Sequence, residues 1–303
     1  MTPRIAVAGS LMMDLVVRAP RLPVAGESLI SHSLRTFPGG KGGNQAVAAA
    51  RLGASVWMIG RVGDDDFGRS LRAGLEVEGI DCRHVKVDPN MGTGVAVPIV
   101  LDSGENAIFA IPQANLGISA AEVEHDRAVI EAADALLLQF EIGMDATFAA
   151  ASIASAAGIR VILNPAPIAP FPHGLLELAS VIVANEIEAA ALVPEAAGDH
   201  LAELTGLRRH APAAVITLGE AGCVADFGAG TLSCPAFSVR AVDSVGAGDA
   251  FCGALGVALA RGFEPHAALR FANAVAALAV TRPGAQSSLP ALAEVEPLLA
   301  AAE

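Results

Sequence analysis

The sequence predicts an α/β fold: a mainly parallel sheet covered by helices on both faces, with a small β-insertion beside it. Three observations point there. From about Ala120 onward, short apolar runs alternate with helical stretches. Two segments, Asp14 to Phe37 and Gly94 to Ile111, instead alternate polar and apolar residues with no helix between them. Hydrophobic residues make up 53% of the 303 positions and charged residues 17%, which supplies a full core for one domain spanning residues 1–303.

Taken in order, the apolar N-terminus is cut by Gly9, Ser10 and Asp14 and lacks a basic region with a cleavage site. It reads as a first strand, Ile5 to Ala8, and not as a signal peptide. The glycine-rich stretch Pro38 to Gln45 leads into an alanine-rich helix from Ala46 to Leu52. Asp64, Asp65 and Asp66 read as capping residues at a helix start. Asp102-Ser-Gly-Glu105 is a hairpin turn inside the second alternating segment, which together with Asp14 to Phe37 suggests a lid. Ser119 and Glu122 form a capping box ahead of a helix reaching Ala132. Asp134 to Phe140, Ile159 to Leu163, Val181 to Ala184 and Ala213 to Leu218 read as buried strands, and Gly158 ends a helix that begins near Asp145. Ala250 to Ala260 is the most apolar helix, well short of the roughly 20 residues a membrane span needs.

Composition removes several function classes. With 19 Lys plus Arg against 32 Asp plus Glu, the formal charge is −13, which repels nucleic acid and anionic lipid. The four cysteines show neither zinc nor disulfide spacing and read as reduced, buried thiols of a cytoplasmic protein.

Two motifs carry chemistry. Gly39 to Gly43 holds four glycines in five positions, and it is not a Walker A loop because Gly42, not Ser or Thr, follows Gly40-Lys41. A backbone this bare lets a ligand approach, while Lys41 and Asn44 add donors at a helix N-terminus; a plain tight turn is the other reading. The second motif is Asp243-Ser-Val-Gly-Ala-Gly-Asp249. Gly246, Ala247 and Gly248 would aim backbone N–H groups at a transferring phosphoryl group, and Asp249 beside that anion makes sense as a proton acceptor or, more simply, as a helix cap.

Polar residues also stand at strand ends, where parallel sheets bind ligands. Glu141 and Asn185-Glu-Ile-Glu188 are such residues, and acidic groups there suit Mg²⁺ ordered through water. Asn185 reads equally well as a helix cap. Asp14 follows an apolar strand, where a lone carboxylate needs donors such as sugar hydroxyls.

Gly39-Gly-Lys-Gly-Gly-Asn-Gln45 and Asp243-Ser-Val-Gly-Ala-Gly-Asp-Ala-Phe251 resemble the two signatures of the ribokinase-like (PfkB-type) carbohydrate kinases. Gly104-Glu-Asn106, Leu163-Asn-Pro-Ala-Pro167, Asn185-Glu-Ile-Glu188, Val215-Ile-Thr-Leu-Gly219 and Thr281-Arg-Pro-Gly-Ala-Gln286 fall in the family's order. The resemblance implies a Rossmann-like, doubly wound core with a β-lid, and transfer of phosphate from ATP to a sugar hydroxymethyl group, D-ribose giving D-ribose 5-phosphate. It implies Asp249 as the base and Gly246, Ala247 and Gly248 as the anion hole. Asp14, Met12, Gly40, Lys41, Gly42, Gly43, Asn44 and Glu141 would line the sugar site. The nucleotide would lie along Asn185, Thr217, Leu218, Gly219, Glu220, Ala221, Gly222, Gly248 and Asn273, with Glu188 helping to order Mg²⁺. A monovalent cation, K⁺, would sit among Asp243, Val245, Ala279, Arg282, Gly284 and Ser288. Lid strands pairing across a homodimer is a further arrangement of the family. Members acting on ribose place Asn two residues before the sugar-binding Asp, where this chain has Met12. A kinase for another small sugar or nucleoside, or a catalytically silent sensor on the same fold, are the competing readings.

Overall fold

The computed structural model describes residues 1–103 and 105–300. Strand β1 (Arg4–Ala8) runs through Gly9–Leu11 into β2 (Met12–Ala19), which belongs to a different sheet. β3 (Ser33–Gly39) returns antiparallel to β2 and leads into α1 (Lys41–Arg51). Next come β4 (Ser55–Gly63), α2 (Asp66–Val77), β5 (Val85–Asp88) and the antiparallel pair β6 (Gly94–Leu101) and β7 (Asn106–Ile111). The second half runs α3 (Ala120–His125), α4 (Arg127–Glu131), β8 (Ala135–Leu138), α5 (Met144–Ala156), β9 (Arg160–Leu163), β10 (Val181–Asn185), α6 (Glu186–Leu192), α7 (His200–Leu207) and β11 (Ala213–Thr217). β12 (Cys223–Asp226), β13 (Thr231–Cys234), α8 (Ala247–Ala260), α9 (Pro265–Ala279) and α10 (Leu292–Ala300) complete the fold.

Nine strands form one sheet in the order β13-β12-β11-β10-β9-β8-β1-β4-β5, parallel except for the β12 and β13 edge. Its strands are apolar at successive positions because both faces are covered. On β1, Ile5 and Val7 enter the core beneath α1, α8 and α9, while Ala6 and Ala8 enter the core beneath α3 to α7. The expected lid segments form the second sheet, ordered β3-β2-β6-β7, with β2 and β6 parallel. Gly104, in the expected hairpin turn, lies outside the described residues; its flanking strands pair antiparallel as that turn requires. Among the described residues no helix is long and apolar enough to cross a membrane, and all four cysteines are free and buried.

Three expected elements are corrected. The helix after the glycine-rich stretch starts at Lys41, not Ala46, so Gly42, Gly43 and Asn44 lie in its first turn. A Cβ on Gly42 would stand 2.6 Å from the backbone of Gly9 and Ser10, so this glycine lets α1 press against the turn between β1 and β2. The helix reaching Ala132 divides at Asp126, whose carboxylate is drawn to His84 Nδ1 at 2.8 Å and toward Lys86. The apolar helix starts at Ala247, three residues before Ala250, with Gly246 as its N-cap at φ 78°. The expected caps at Asp65 and at Ser119 with Glu122 are both present.

Small residues set the distance between the two motif helices. A Cβ on Gly253 of α8 would lie 2.8 Å from both the Ala48 Cβ and the Gln45 carbonyl of α1. With Ala46, Ala49, Ala250 and Ala254 also buried, the helices approach closely enough for side chains of α1 to reach Asp249.

Candidate active site

The N-termini of α1 and α8 meet at the carboxyl ends of β1, β8, β10 and β11. Asp249, 6% exposed, stands in the first turn of α8. Its Oδ2 accepts from Asn44 Nδ2 at 2.8 Å and its Oδ1 from Gln45 Nε2 at 3.3 Å. The amides of Gly246 and Gly248 have no protein acceptor among the described residues, whereas the Ala247 N–H is directed at the Ser244 carbonyl at 3.3 Å. The free amides face the same end of the helix as the carboxylate, where the helix dipole favours negative charge.

Asp14 lies within β2 and is half-buried, over Gly39 of β3. A Cβ on Gly39 would come within 2.4 to 2.6 Å of the Asp14 carboxylate, so only glycine leaves the carboxylate its place. Burial first, then the charges of Glu141 and Asp249, push the Asp14 carboxyl up to about 7. Since this lies above the ordinary 3.8, protonated Asp14 favours the folded, ligand-free protein, fully below about pH 4, and that stabilisation is lost as pH rises through about 7. Asp14→Asn, which stays neutral, is therefore expected to gain Tm relative to the parent as pH is raised across that window. A Tm difference independent of pH in thermal melts would contradict it.

Glu141 sits just beyond β8. Its Oε2 accepts from Ser10 Oγ and from the Lys41 backbone N–H at 2.9 Å, tying the turn after β1 to the start of α1. Burial raises its carboxyl above the ordinary range, against the Lys41 charge that lowers it. Met12 is buried on the same face of β2 as Asp14, opposite Gly39 and Gly94. Gly40 caps α1 at φ 84°, close against the Met12 amide.

Lys41, expected among the sugar ligands, also lines the neighbouring cleft with Asn164, Asn185, Glu188, Thr217 and Gly248. Burial opposes its charge, yet Asp249, Glu141 and Glu188 outweigh that and hold the ammonium above its ordinary value. Asn185 and Glu188 form a capping box on α6: Asn185 Oδ1 accepts from the Glu188 N–H at 2.8 Å, and Glu188 accepts from the Asn185 N–H at 2.9 Å. Capping thus accounts for the contacts of Asn185 and leaves Glu188 turned to the cleft, its carboxyl raised by burial.

Thr217, at the end of β11, pairs in register with Asn185. Leu218 to Gly222 form the tight turn into β12, and a Cβ on Gly222 would lie 2.2 Å from the Cys234 carbonyl. Asn273 of α9 supports that corner from beneath, its Nδ2 donating to the Cys234 and Pro235 carbonyls at 3.0 and 3.3 Å. Glu220 and Ala221 remain exposed at the rim.

Asp243 joins two loops. It accepts from the Val245 N–H at 3.0 Å and the Gly284 N–H at 2.9 Å, which brings the residues around Ala279, Gly284 and Ser288 beside Gly246. Ser288 is buried and donates to the Ala285 carbonyl at 2.8 Å, while Arg282 turns outward to Glu294. Four polar residues at the site were not singled out in the sequence: Ser10, Gln45, Gln139 and Asn164. Asn164 directly follows β9, so the strand-end rule that marked Glu141 and Asn185 reaches it as well.

A Rossmann-like sheet with a second sheet over its carboxyl edge, and a carboxylate at a helix N-terminus beside amides free among the described residues, make a site suited to phosphoryl transfer. The chain belongs to the pfkB family of carbohydrate kinases, whose family model it matches over residues 2–292. It is 40% identical over 295 residues to the ribokinase of Bacillus subtilis, covering 97% of this chain and 99% of that one. To the ribokinase of Schizosaccharomyces pombe it is 38% identical, with 96% of each chain covered. The structure of Arabidopsis thaliana ribokinase complexed with ribose and ATP superposes with a TM-score of 0.90 at 29% identity, covering 99% of both chains. The enzyme is thus a carbohydrate kinase of the ribokinase type.

Proposed function

We propose that this enzyme transfers the γ-phosphoryl group of ATP to the hydroxymethyl group of D-ribose, giving D-ribose 5-phosphate and ADP. The observation that carries the reading is Asp249: a carboxylate at a helix N-terminus, each oxygen held by one amide donor, beside N–H groups without partners. The sugar hydroxyl gives its proton to Asp249 as its oxygen bonds to the γ-phosphorus, while the bond from that phosphorus to the ADP oxygen breaks. The amides of Gly246 and Gly248 meet the negative charge spread over the transferring oxygens. Lys41 faces the same charge from the cleft.

Asp14 and Glu141 accept from sugar hydroxyls, and Asn44 Oδ1, buried without a protein partner, is an acceptor left over for one more. The turn from Thr217 to Gly222 and the corner held by Asn273 offer the nucleotide its bed. ATP as donor is supported by the ligands of the Arabidopsis relative.

Glu188 suits Mg²⁺ held through water, because its buried carboxylate already accepts from Asn185 and needs a further positive partner. The ion would offset phosphate charge in a cleft lined by several carboxylates. Asp243, which ties the Val245 and Gly284 loops together through their N–H groups, supports the reading that a monovalent cation such as K⁺ sits among these loops. Replacing a bulky organic cation by K⁺ at constant ionic strength is expected to raise kcat, and a flat response would remove that site. Four free, buried cysteines fit a cytoplasmic enzyme.

The test is a panel of pentoses, hexoses and nucleosides with ATP and Mg²⁺, following ADP release and the phosphorylated product. Ribose is expected to have the highest kcat/KM. Met12→Asn is expected to raise it further, by about five- to 150-fold if it pairs an otherwise unmatched hydroxyl worth roughly 1–3 kcal/mol. A strong preference of the parent for another sugar, with Met12→Asn lowering ribose turnover, would overturn ribose as the substrate.

A further inference from the structure

Behind Asp249 lies a pair of buried amides that the reaction itself does not need to touch. Gln45 of α1 is 1% exposed and Gln139, just after β8, is fully buried. Gln139 Nε2 donates to Gln45 Oε1 at 2.7 Å, and Gln45 Nε2 donates in turn to Asp249 Oδ1 at 3.3 Å. The direction of the chain follows from chemistry. A carboxylate only accepts, so the Gln45 amide must show it nitrogen and not oxygen, and the Gln139 donor holds the Gln45 oxygen on the far side. Although Gln139 Oε1 is itself buried without a partner, rotating either amide would set two acceptors directly against each other in the interior, which costs more. Gly9 leaves the room for this arrangement, since a Cβ there would lie 2.1 Å from Gln139 Oε1.

We infer that Gln45, oriented by Gln139, is a positioning residue for the Asp249 carboxylate: the two amides fix its rotamer before the sugar arrives. This rests on Asp249 acting as the base. Asn44 holds the other oxygen, but its Oδ1 is left over as an acceptor for a ligand, whereas Gln45 and Gln139 are closed off from solvent and bonded to each other. The charged and titratable groups facing Asp249 are Lys41 of α1, Asp14 of β2, Glu141, Glu188 of α6 and Cys252 of its own helix, all retained when Gln45 is changed.

Gln45→Met keeps the volume and removes the donor. It is expected to lower kcat about tenfold or more with KM for sugar and ATP within about twofold, because the substrates are not touched. The acid limb of the kcat/KM profile is expected to move to higher pH, since a donor aimed at the charged form is gone. Gln45→Glu, which sets a second carboxylate against the first, is expected to move that limb further. Gln139→Met leaves the Gln45 donor in place but frees it to turn, so a smaller shift of the same sign is expected, and this variant answers the question if Gln45→Met does not fold. In an Asp249→Asn background, Gln45→Met is expected to have no further effect. Unchanged kcat and an unmoved acid limb in folded Gln45 and Gln139 variants would overturn the positioning role while leaving Asp249 as base. Full turnover by Asp249→Asn would instead overturn the base itself.

Discussion

Asp249→Asn is expected to lower kcat by a factor on the order of 10²–10⁴ while sugar and nucleotide still bind, as equilibrium dialysis or calorimetry would show. Asparagine keeps the shape: its oxygen can still accept from Gln45, and its NH2 can donate to Asn44 once the Asn44 amide turns to present its otherwise unpartnered Oδ1, so the loss falls on proton acceptance and not on packing. Two features of the site make the effect large. The carboxylate stands where the helix N-terminus and the free amides of Gly246 and Gly248 draw the phosphoryl group. The neighbouring carboxylates stand elsewhere in the site: Glu141 Oε2 is held by Ser10 and the Lys41 amide, Glu188 by Asn185, and Asp14 lies in β2 over Gly39, away from the N-terminus of α8. A variant retaining near-parental kcat would take Asp249 out of the mechanism.

The second large effect is expected from Gly42→Ala, although alanine is the better helix former. The new methyl would stand 2.6 Å from the Gly9 carbonyl carbon and the Ser10 nitrogen, both backbone atoms that cannot step aside. α1 would have to withdraw from the turn after β1, breaking the bond from the Gly43 N–H to the Ser10 carbonyl, now 2.9 Å. Overpacking of this kind costs about 1–3 kcal/mol, read as a lower Tm. Because α1 also carries Lys41, Asn44 and Gln45, a displacement near 1 Å is expected to cost about 10²-fold in kcat/KM. Unchanged Tm and activity would show that the close approach is not needed.

Much of this was legible in the sequence. The strands of the second half stood out because they are buried on both faces and bounded by helix caps at Ser119 and Asn185, whose partners lie three residues away. The two motif segments were visible because glycine is dense there. Local signals misplaced the start of α1, since glycines at 42 and 43 read as loop, whereas the turn at Gly9 and Ser10 is what requires them. The break at Asp126 depends on His84 and Lys86 from another element. β12 and the edge strand β13 are short and lack the apolar run that marked their neighbours. Gln45 and Gln139 are 94 residues apart and acquire meaning only when β8 brings them together.

The joint between the two sheets has a consequence for how the enzyme treats its nucleotide. β1 of the central sheet continues through Gly9–Leu11 into β2, so Asp14 travels with the small sheet, while Lys41, Glu188 and Asp249 are fixed to the frame. On the proposed reading, any excursion of the small sheet therefore changes the distance from Asp14 to Asp249, while Glu141, Asn44 and the neighbouring cleft keep their places. If Asp14 holds the sugar as proposed, reactive alignment then depends on a seated sugar and not on the nucleotide alone. On that reading the arrangement guards against wasteful hydrolysis, because a water molecule is too small to bridge Asp14 and Asp249 and hold the two halves of the site in register.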